Sequence, residues 1–138
     1  MSSHSKRHGF TLTHLLVVVV IIGIILAVVV PNFISTQNRA KEDRMKHDCH
    51  TVQLAAEEYA VRHDAVYPNN LVDLMVFLPE GKMLKNAFTG KLSEPVLGKA
   101  EKLGQVGYAP IMQDGICVGY TITGYGKNNM TFTLLSGQ

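Results

Sequence analysis

The feature that most constrains this chain is an unbroken apolar run close to its N-terminus. Residues 15–30, LLVVVVIIGIILAVVV, are all apolar or glycine. Extended back to residue 10, the segment is about 21 residues long, or about 31 Å as a helix. This length matches the roughly 30 Å hydrocarbon core of a bilayer. A signal peptide has a shorter apolar region that ends at a small-residue cleavage site. The run therefore predicts a retained membrane anchor.

The position of the basic residues predicts how this anchor is oriented. The formal net charge is +2, and the excess lies in the N-terminal tail, where Lys6 and Arg7 precede the apolar run. Positive residues beside a membrane span hold that end in the cytoplasm. We therefore expect a single-pass protein with a cytoplasmic N-terminus and its remainder on the far side of the membrane.

The helical pattern continues past Pro31. Apolar residues recur mostly three, four or seven apart, which is typical of an amphipathic helix; they are Phe33, Ile34, Ala40, Met45, Cys49, Val52, Ala56 and Tyr59. One helix over residues 10–64 is predicted, and Pro31 should bend or loosen it because proline lacks a backbone donor. Its first half, residues 10–30, is left without a partner in the chain, whereas residues 31–64 pack on a head.

Residues 65–138 predict a small globular head. A short helix is expected over residues 70–78, and from Gly104 onward three segments alternate apolar and polar residues between turn sequences. Three antiparallel strands laid against the long helix make an α+β fold. Cys117 opens the central strand and Cys49 lies on the helical stripe. The alternatives are a disulfide between them, in an oxidising exported setting, and two separate buried thiols.

The N-terminal segment resembles the type III signal of type IV pilins and of type II secretion pseudopilins, on the residues GFTLTHLLVVVVIIGIILAVVVPNF. Gly9, Phe10, Gly23 and Pro31 fall in that family's register. The resemblance implies that a prepilin peptidase removes a basic leader, residues 1–9, and N-methylates Phe10. It also implies storage in the bacterial inner membrane with the head in the periplasm. An inner-membrane assembly platform and an ATPase would then extract the chain into a filament.

His14 departs from the family pattern, which has glutamate at this position. The resemblance implies that the family's carboxylate neutralises the N-terminal ammonium of a neighbouring subunit. Neutral imidazole can accept a hydrogen bond from that ammonium, but it cannot cancel its charge. We therefore expect weaker self-assembly than in a glutamate-bearing relative. The alternative is that His14 is an interfacial residue that water reaches at the membrane edge.

The head is similar to the G-type major pseudopilins, on the segments AAEEYAVRHDAVYPNNLVDLMVFLP, LKNAFTGK and VGYAPIMQDGICVGYTITGYGKNN. Many members of that group hold calcium in an acidic loop near the C-terminus. Here Asp114 is followed by no carboxylate through Gln138, and calcium requires several oxygen ligands. We therefore expect no calcium, no other metal and no cofactor.

The predicted function is a structural filament subunit, homo-oligomeric in a type II secretion pseudopilus or a type IV pilus-like fibre, that supports protein secretion. No nucleophile elbow, P-loop or carboxylate pair points to an enzyme. A DNA-uptake pilin is one alternative, although the head has no dense basic stripe and nucleic-acid binding is not expected. A minor, tip-located subunit is another, because some tip pseudopilins lack the glutamate.

Overall fold

The computed structural model describes residues 11–79 and 84–137, and these divide between Gln37 and Asn38 into two compact units. The elements are α1 (Leu12–Arg62), α2 (Leu71–Val76), β1 (Leu84–Lys85), β2 (Leu92–Ser93), β3 (Val96–Leu97), β4 (Val106–Gln113), β5 (Ile116–Tyr125) and β6 (Thr131–Leu135). A long N-terminal helix and a C-terminal sheet confirm the predicted α+β class.

The long helix is a single element of 51 residues that runs through Pro31. Its last residue is Arg62, and the backbone just beyond turns left-handed, with φ of 53° at Asp64 and 63° at Ala65. Helical residues have negative φ, so this pair ends the helix. The amide of Ala65 donates to the carbonyl of Ala60 at 2.9 Å and so satisfies one of the terminal carbonyls.

Only the second half of α1 has a buried face. The buried residues are Met45, Asp48, Cys49, Val52, Ala55, Ala56 and Ala60. The predicted stripe is therefore confirmed from Met45 to Ala56, whereas Phe33 and Ile34, which the pattern also included, are exposed. Because the alanines on this face are small, larger side chains of the sheet fill the core, among them Tyr108, Tyr120 and Ile122.

The main sheet has four strands in the order β3-β4-β5-β6, not the three predicted. β4, β5 and β6 are antiparallel neighbours, and the added strand β3 runs parallel to β4, with Val96 opposite Gly107. β3 is only two residues long, so it is too short to show an alternating pattern. A Cβ at Gly107 would lie 2.4 Å from the Gly98 carbonyl oxygen, so this glycine is what allows the close approach.

Residues 84–93 form a two-stranded ribbon, β1 with β2. The buried Asn86 holds the turn between these strands, because its Oδ1 accepts from the amides of Phe88 at 2.9 Å and Thr89 at 3.1 Å. Its Nδ2 donates to the Leu103 carbonyl at 2.8 Å. Asn86 thus ties the ribbon to the segment that leads into β4.

Local chemistry specifies the turns and the cap of the head. Asp114 and Gly115 connect β4 to β5, and both have positive φ, 52° and 81°, as a type I′ hairpin turn requires. Asn70 caps α2, since its side chain accepts from the Asp73 amide at 2.8 Å. A short 3-10 turn, Lys127–Asn129, joins β5 to β6.

Polar contacts join the C-terminal part of α1 to the sheet. The hydroxyl of Tyr120 donates to Glu57 Oε1 at 2.5 Å, and the hydroxyl of Tyr67 donates to Oε2 at 3.3 Å. The hydroxyl of Tyr108 donates to the Pro68 carbonyl at 2.8 Å. Burial raises the pKa of all three tyrosines, so these hydroxyls stay protonated and keep donating at physiological pH.

Candidate assembly helix and its apolar surface

The N-terminal part of α1 exposes an apolar surface on every side. All residues from 11 to 37 are exposed, and among the leucines, valines and isoleucines of residues 12–30 the exposed fraction runs from 43% at Val18 to 81% at Leu12. An 18-residue window of α1 has a mean hydropathy of 3.1 with no part of it buried, so α1 is long and apolar enough to cross a membrane. Such a surface needs lipid or another protein surface to cover it.

Gly23 lies in the middle of this surface with open space beside it. No atom comes within 4 Å of the position that its Cβ would occupy. A glycine in a helix interior destabilises the helix by about 1 kcal/mol relative to alanine. No contact among the described residues accounts for this cost, so the fold of the chain itself does not require Gly23.

Pro31 weakens the helix without ending it. Because proline lacks an N–H, the carbonyl of Ala27 loses its usual helical donor. Two polar side chains nearby bond to the helix backbone: Asn32 Nδ2 donates to the Val28 carbonyl at 3.3 Å, and Thr36 Oγ1 donates to the Asn32 carbonyl at 2.9 Å. These two side-chain donors are therefore satisfied within the helix, which lowers the cost of placing them in an apolar environment.

His14 lies in the first turn of α1. Its Nδ1 is hydrogen-bonded to the Thr11 hydroxyl, and its amide donates to the Thr11 carbonyl at 3.0 Å. The first turn carries no acidic residue, so no carboxylate nearby in the sequence takes the place of the family's glutamate. Gly9 and Phe10, the predicted cleavage and methylation site, lie outside the described residues.

The two cysteines are free, buried thiols, and they lie near opposite ends of β5. Cys49 packs against Gly124, whereas the Cys117 thiol donates to the Gly119 carbonyl at 3.2 Å. Seven strand residues separate positions 117 and 124, a span of about 23 Å, and a disulfide requires Cα atoms within about 7 Å. Of the two alternatives, the structure therefore has two separate buried thiols and not a Cys49–Cys117 bridge.

Asp48 is a buried charge that the sequence pattern did not single out. Its side chain is 6% exposed, and its Oδ1 lies 3.5 Å from Arg44 Nε. Burial raises the pKa of this carboxyl, against the lowering effect of Arg44 and His47. Among residues 11–79 and 84–137, no group of three His, Cys, Asp or Glu side chains is placed to hold a metal ion.

The N-terminal segment is similar to known proteins. Residues 4–30 match the prokaryotic N-terminal methylation motif. The chain is 37% identical over 59 residues to the type IV major pilin protein PilA of Myxococcus xanthus, and 35% identical over 68 residues to the type II secretion system core protein G of Vibrio cholerae. The chain is thus similar to type IV pilins and type II secretion pseudopilins in its N-terminal part. It is also 39% identical over 64 residues to the core protein G of Pseudomonas aeruginosa.

These matches cover only part of each protein. They take in 43% to 49% of this chain, and 27% of the Myxococcus pilin, 46% of the Vibrio protein and 44% of the Pseudomonas protein. The chain therefore spans less than half the length of the curated relatives that it matches. No solved structure gives a significant match to it. The methylation motif includes His14, Gly23 and the whole apolar run, whereas Pro31, the third predicted assembly residue, comes directly after it.

Proposed function

We propose that this chain is a structural filament subunit that assembles through its N-terminal helix into a type II secretion pseudopilus or a type IV pilus-like fibre and supports protein secretion. The single observation that carries the proposal is the apolar surface of residues 12–30. It is exposed on all sides and belongs to the same continuous helix that packs on the sheet from Met45 onward.

The logic is that one surface serves in two environments. Before assembly, the apolar helix lies in lipid, where its length matches the bilayer core. After assembly, other copies of the same helix replace the lipid, and contacts between helices are then made by close packing. Gly23 favours this use, because a glycine that no other described residue approaches leaves room for a neighbouring helix.

The proposal includes the processing and the location of the chain. A prepilin peptidase cuts after Gly9 and methylates the new N-terminus at Phe10. The leader is residues 1–9, the membrane and assembly half is residues 10–30, the amphipathic half is residues 31–64, and the head is residues 65–138. The protein sits in the inner membrane with its head in the periplasm, and an assembly platform and an ATPase move it into the filament together with other pilin subunits.

Mass spectrometry of membranes from cells that contain the native peptidase tests the processing step. We expect a mature chain that begins at Phe10 and carries one extra methyl group. A chain that still begins at Met1 contradicts the proposal. Gly9→Ala serves as the uncleaved control, since a Cβ directly at the cleavage site should block the peptidase. Sheared surface material, examined by electron microscopy, then shows whether the mature chain forms fibres.

One observation favours a second role, a minor subunit at the filament tip. The first turn of α1 carries His14 and no carboxylate, and a subunit with none above it has no neighbouring ammonium to neutralise. Quantitative mass spectrometry of isolated fibres separates the two roles. Hundreds of copies per fibre indicate the main building block, and one or a few copies per fibre indicate a tip subunit.

A further inference from the structure

We propose that the second compact unit, Asn38–Gln138, carries opposite charges at its two ends, and that the acidic end of one copy docks on the basic end of the next. This proposal rests on the proposed filament function and adds to it the head surfaces that meet. The occupant is a second copy of this chain, and the argument for it is charge complementarity between two surfaces of one molecule.

The acidic end is where α1 finishes. Here the β4–β5 turn lies beside the segment after α1, because the Tyr67 amide donates to the Cys117 carbonyl at 3.0 Å. Helix α2 is at the same end, since Phe77 packs edge-on against Tyr59 with ring centroids 5.7 Å apart. Four carboxylates lie at this end: Glu58, Asp64, Asp73 and Asp114. Glu57 lies opposite Tyr120, in the middle of β5, and accepts from its hydroxyl. The one described basic residue here, Arg62, pairs with Glu58 at 2.7 Å.

The basic end is where the unit's part of α1 begins. Met45 and Cys49 contact β5 close to its last residue, at Gly124, and the amide of Gly104 donates to the Tyr125 carbonyl at 2.7 Å. The described basic residues at this end are Arg39, Lys41, Arg44, Lys46, Lys85, Lys91, Lys99, Lys102 and Lys127. The described acidic residues are Glu42, Asp43, Asp48, Glu94 and Glu101.

The two ends therefore carry opposite formal charges among residues 38–79 and 84–137. Nine basic and five acidic residues give an excess of four positive charges at one end. Four acidic residues and one basic residue give an excess of three negative charges at the other. Asp48 is buried, and Asp43 is 3.7 Å from Lys46, so the free charge at the basic end belongs mainly to lysine and arginine.

The ends are too far apart to pair within one chain. Strand β5 connects them and is ten residues long, or about 30 Å. This exceeds the roughly 8 Å screening length at physiological salt. A two-fold dimer through either end would bring like charges together. Contact between unlike ends leaves one free end of each kind, so it continues into an open chain of subunits.

A membrane surface is the competing occupant, because anionic headgroups also attract clustered lysines. It would engage only the basic end and would leave the acidic end without a role. The presence of both ends on one unit favours a second copy. Substitutions at the acidic end separate the two cases, since a membrane surface is indifferent to them.

Zero-length cross-linking tests the contact. The full-length chain in mild detergent micelles is treated with a carbodiimide, which joins carboxylates to lysine amines in direct contact. We expect cross-links from Asp64 or Asp114 to Lys102 or Lys127 at low salt. Because these groups lie at opposite ends of the unit, such a product must join two chains. We expect the yield to fall roughly tenfold near 1 M salt, where the screening length is about 3 Å. Absence of these products at low salt overturns the proposal.

A matched pair of variants makes the test specific. Asp64→Asn with Asp114→Asn removes two charges from the acidic end without disturbing the backbone, since asparagine tolerates the left-handed conformation of both sites. We expect the total interchain yield to fall about fivefold to tenfold. Glu94→Gln with Glu101→Gln makes the same charge change at the basic end, and we expect no loss. Equal yields in the two double variants contradict the proposal.

Failure of the docking proposal can be distinguished from failure of the proposed filament function. If fibres form in cells and the cross-links between unlike ends are absent, the docking proposal fails and the filament function stands. If the cross-links form in micelles and no fibres form in cells, the docking surface stands and the filament function fails.

Discussion

The Sγ of Cys49 lies 2.7 Å from the point that a Cβ on Gly124 would occupy, so helix α1 packs directly on the backbone of strand β5. The Sδ of Met45 lies 3.2 Å from the same point. Any side chain at position 124 would push the helix away from the sheet. The head therefore depends on glycine at this position for space and not for backbone freedom.

Gly124→Ala should lower the free energy of unfolding of the head by about 1–3 kcal/mol, the usual cost of overpacking a core. Cys49→Ala removes the nearer sulfur and should recover part of that loss in the double variant. Urea unfolding of the wild type, the two single variants and the double variant, monitored by far-UV circular dichroism, gives the coupling energy between the two sites. Purely additive effects would show that the helix shifts freely and that the contact does not restrain it.

Asp48→Asn should stabilise the head at neutral pH by about 1 kcal/mol, a typical effect for one substitution at a buried polar site. The folded pKa of Asp48 is raised above its unfolded value of 3.8, chiefly by burial. A raised pKa means that the contribution of this carboxyl to stability is full below pH 3.8 and is lost as pH rises through the folded pKa.

Thermal unfolding between pH 4 and pH 7 checks this prediction. The wild-type melting temperature should gain less over this range than that of the asparagine variant, because only the wild type must ionise Asp48. Arg44→Gln is a second comparison, because it removes the cation that lies 3.5 Å from Asp48. Ionisation of Asp48 should therefore cost more stability in this variant than in the wild type. Parallel pH profiles for wild type and Asp48→Asn would count against the assignment.

Both thiols should be unreactive in the folded protein. Burial raises the pKa of Cys49 to about 12, with a further contribution from Asp48, and also raises the pKa of Cys117. The thiolate is the reactive species, so Ellman's reagent should detect no thiol in the native protein and two after unfolding in denaturant without a reductant. If the reagent detects two thiols only after a reductant is added, a disulfide joins Cys49 to Cys117.

His14→Glu should give more or longer fibres if a carboxylate at this position neutralises the N-terminus of a neighbouring subunit. His14→Gln keeps a hydrogen-bond acceptor and adds no charge, so it should behave like the wild type. Fibre length and number, counted by electron microscopy from cells with equal amounts of mature protein, provide the measurement. An equal or lower yield for the glutamate variant would mean that the surrounding helices are adapted to histidine.

The part of this protein that the sequence by itself determined is the part that local rules govern. The apolar run, the continuation of the helical period past Pro31, the Asn70 cap and the Asp114-Gly115 turn each depend on residues a few positions apart, so pattern and turn chemistry specify them. The candidate assembly residues also lie in one continuous segment. The sequence therefore places these residues together on one helix, whichever distant segments of the chain are in contact.

Only the tertiary structure decided the features that join distant segments. The two-residue strand β3 forms because Gly107 admits a neighbouring backbone, and Asn86 is buried because Leu103 lies beside it. Cys49 meets Gly124 and not Cys117 because the helix and β5 align along their length. The same alignment gathers basic residues at one end and acidic residues at the other. Such contacts arise from how elements pack, and spacing along the chain does not encode them.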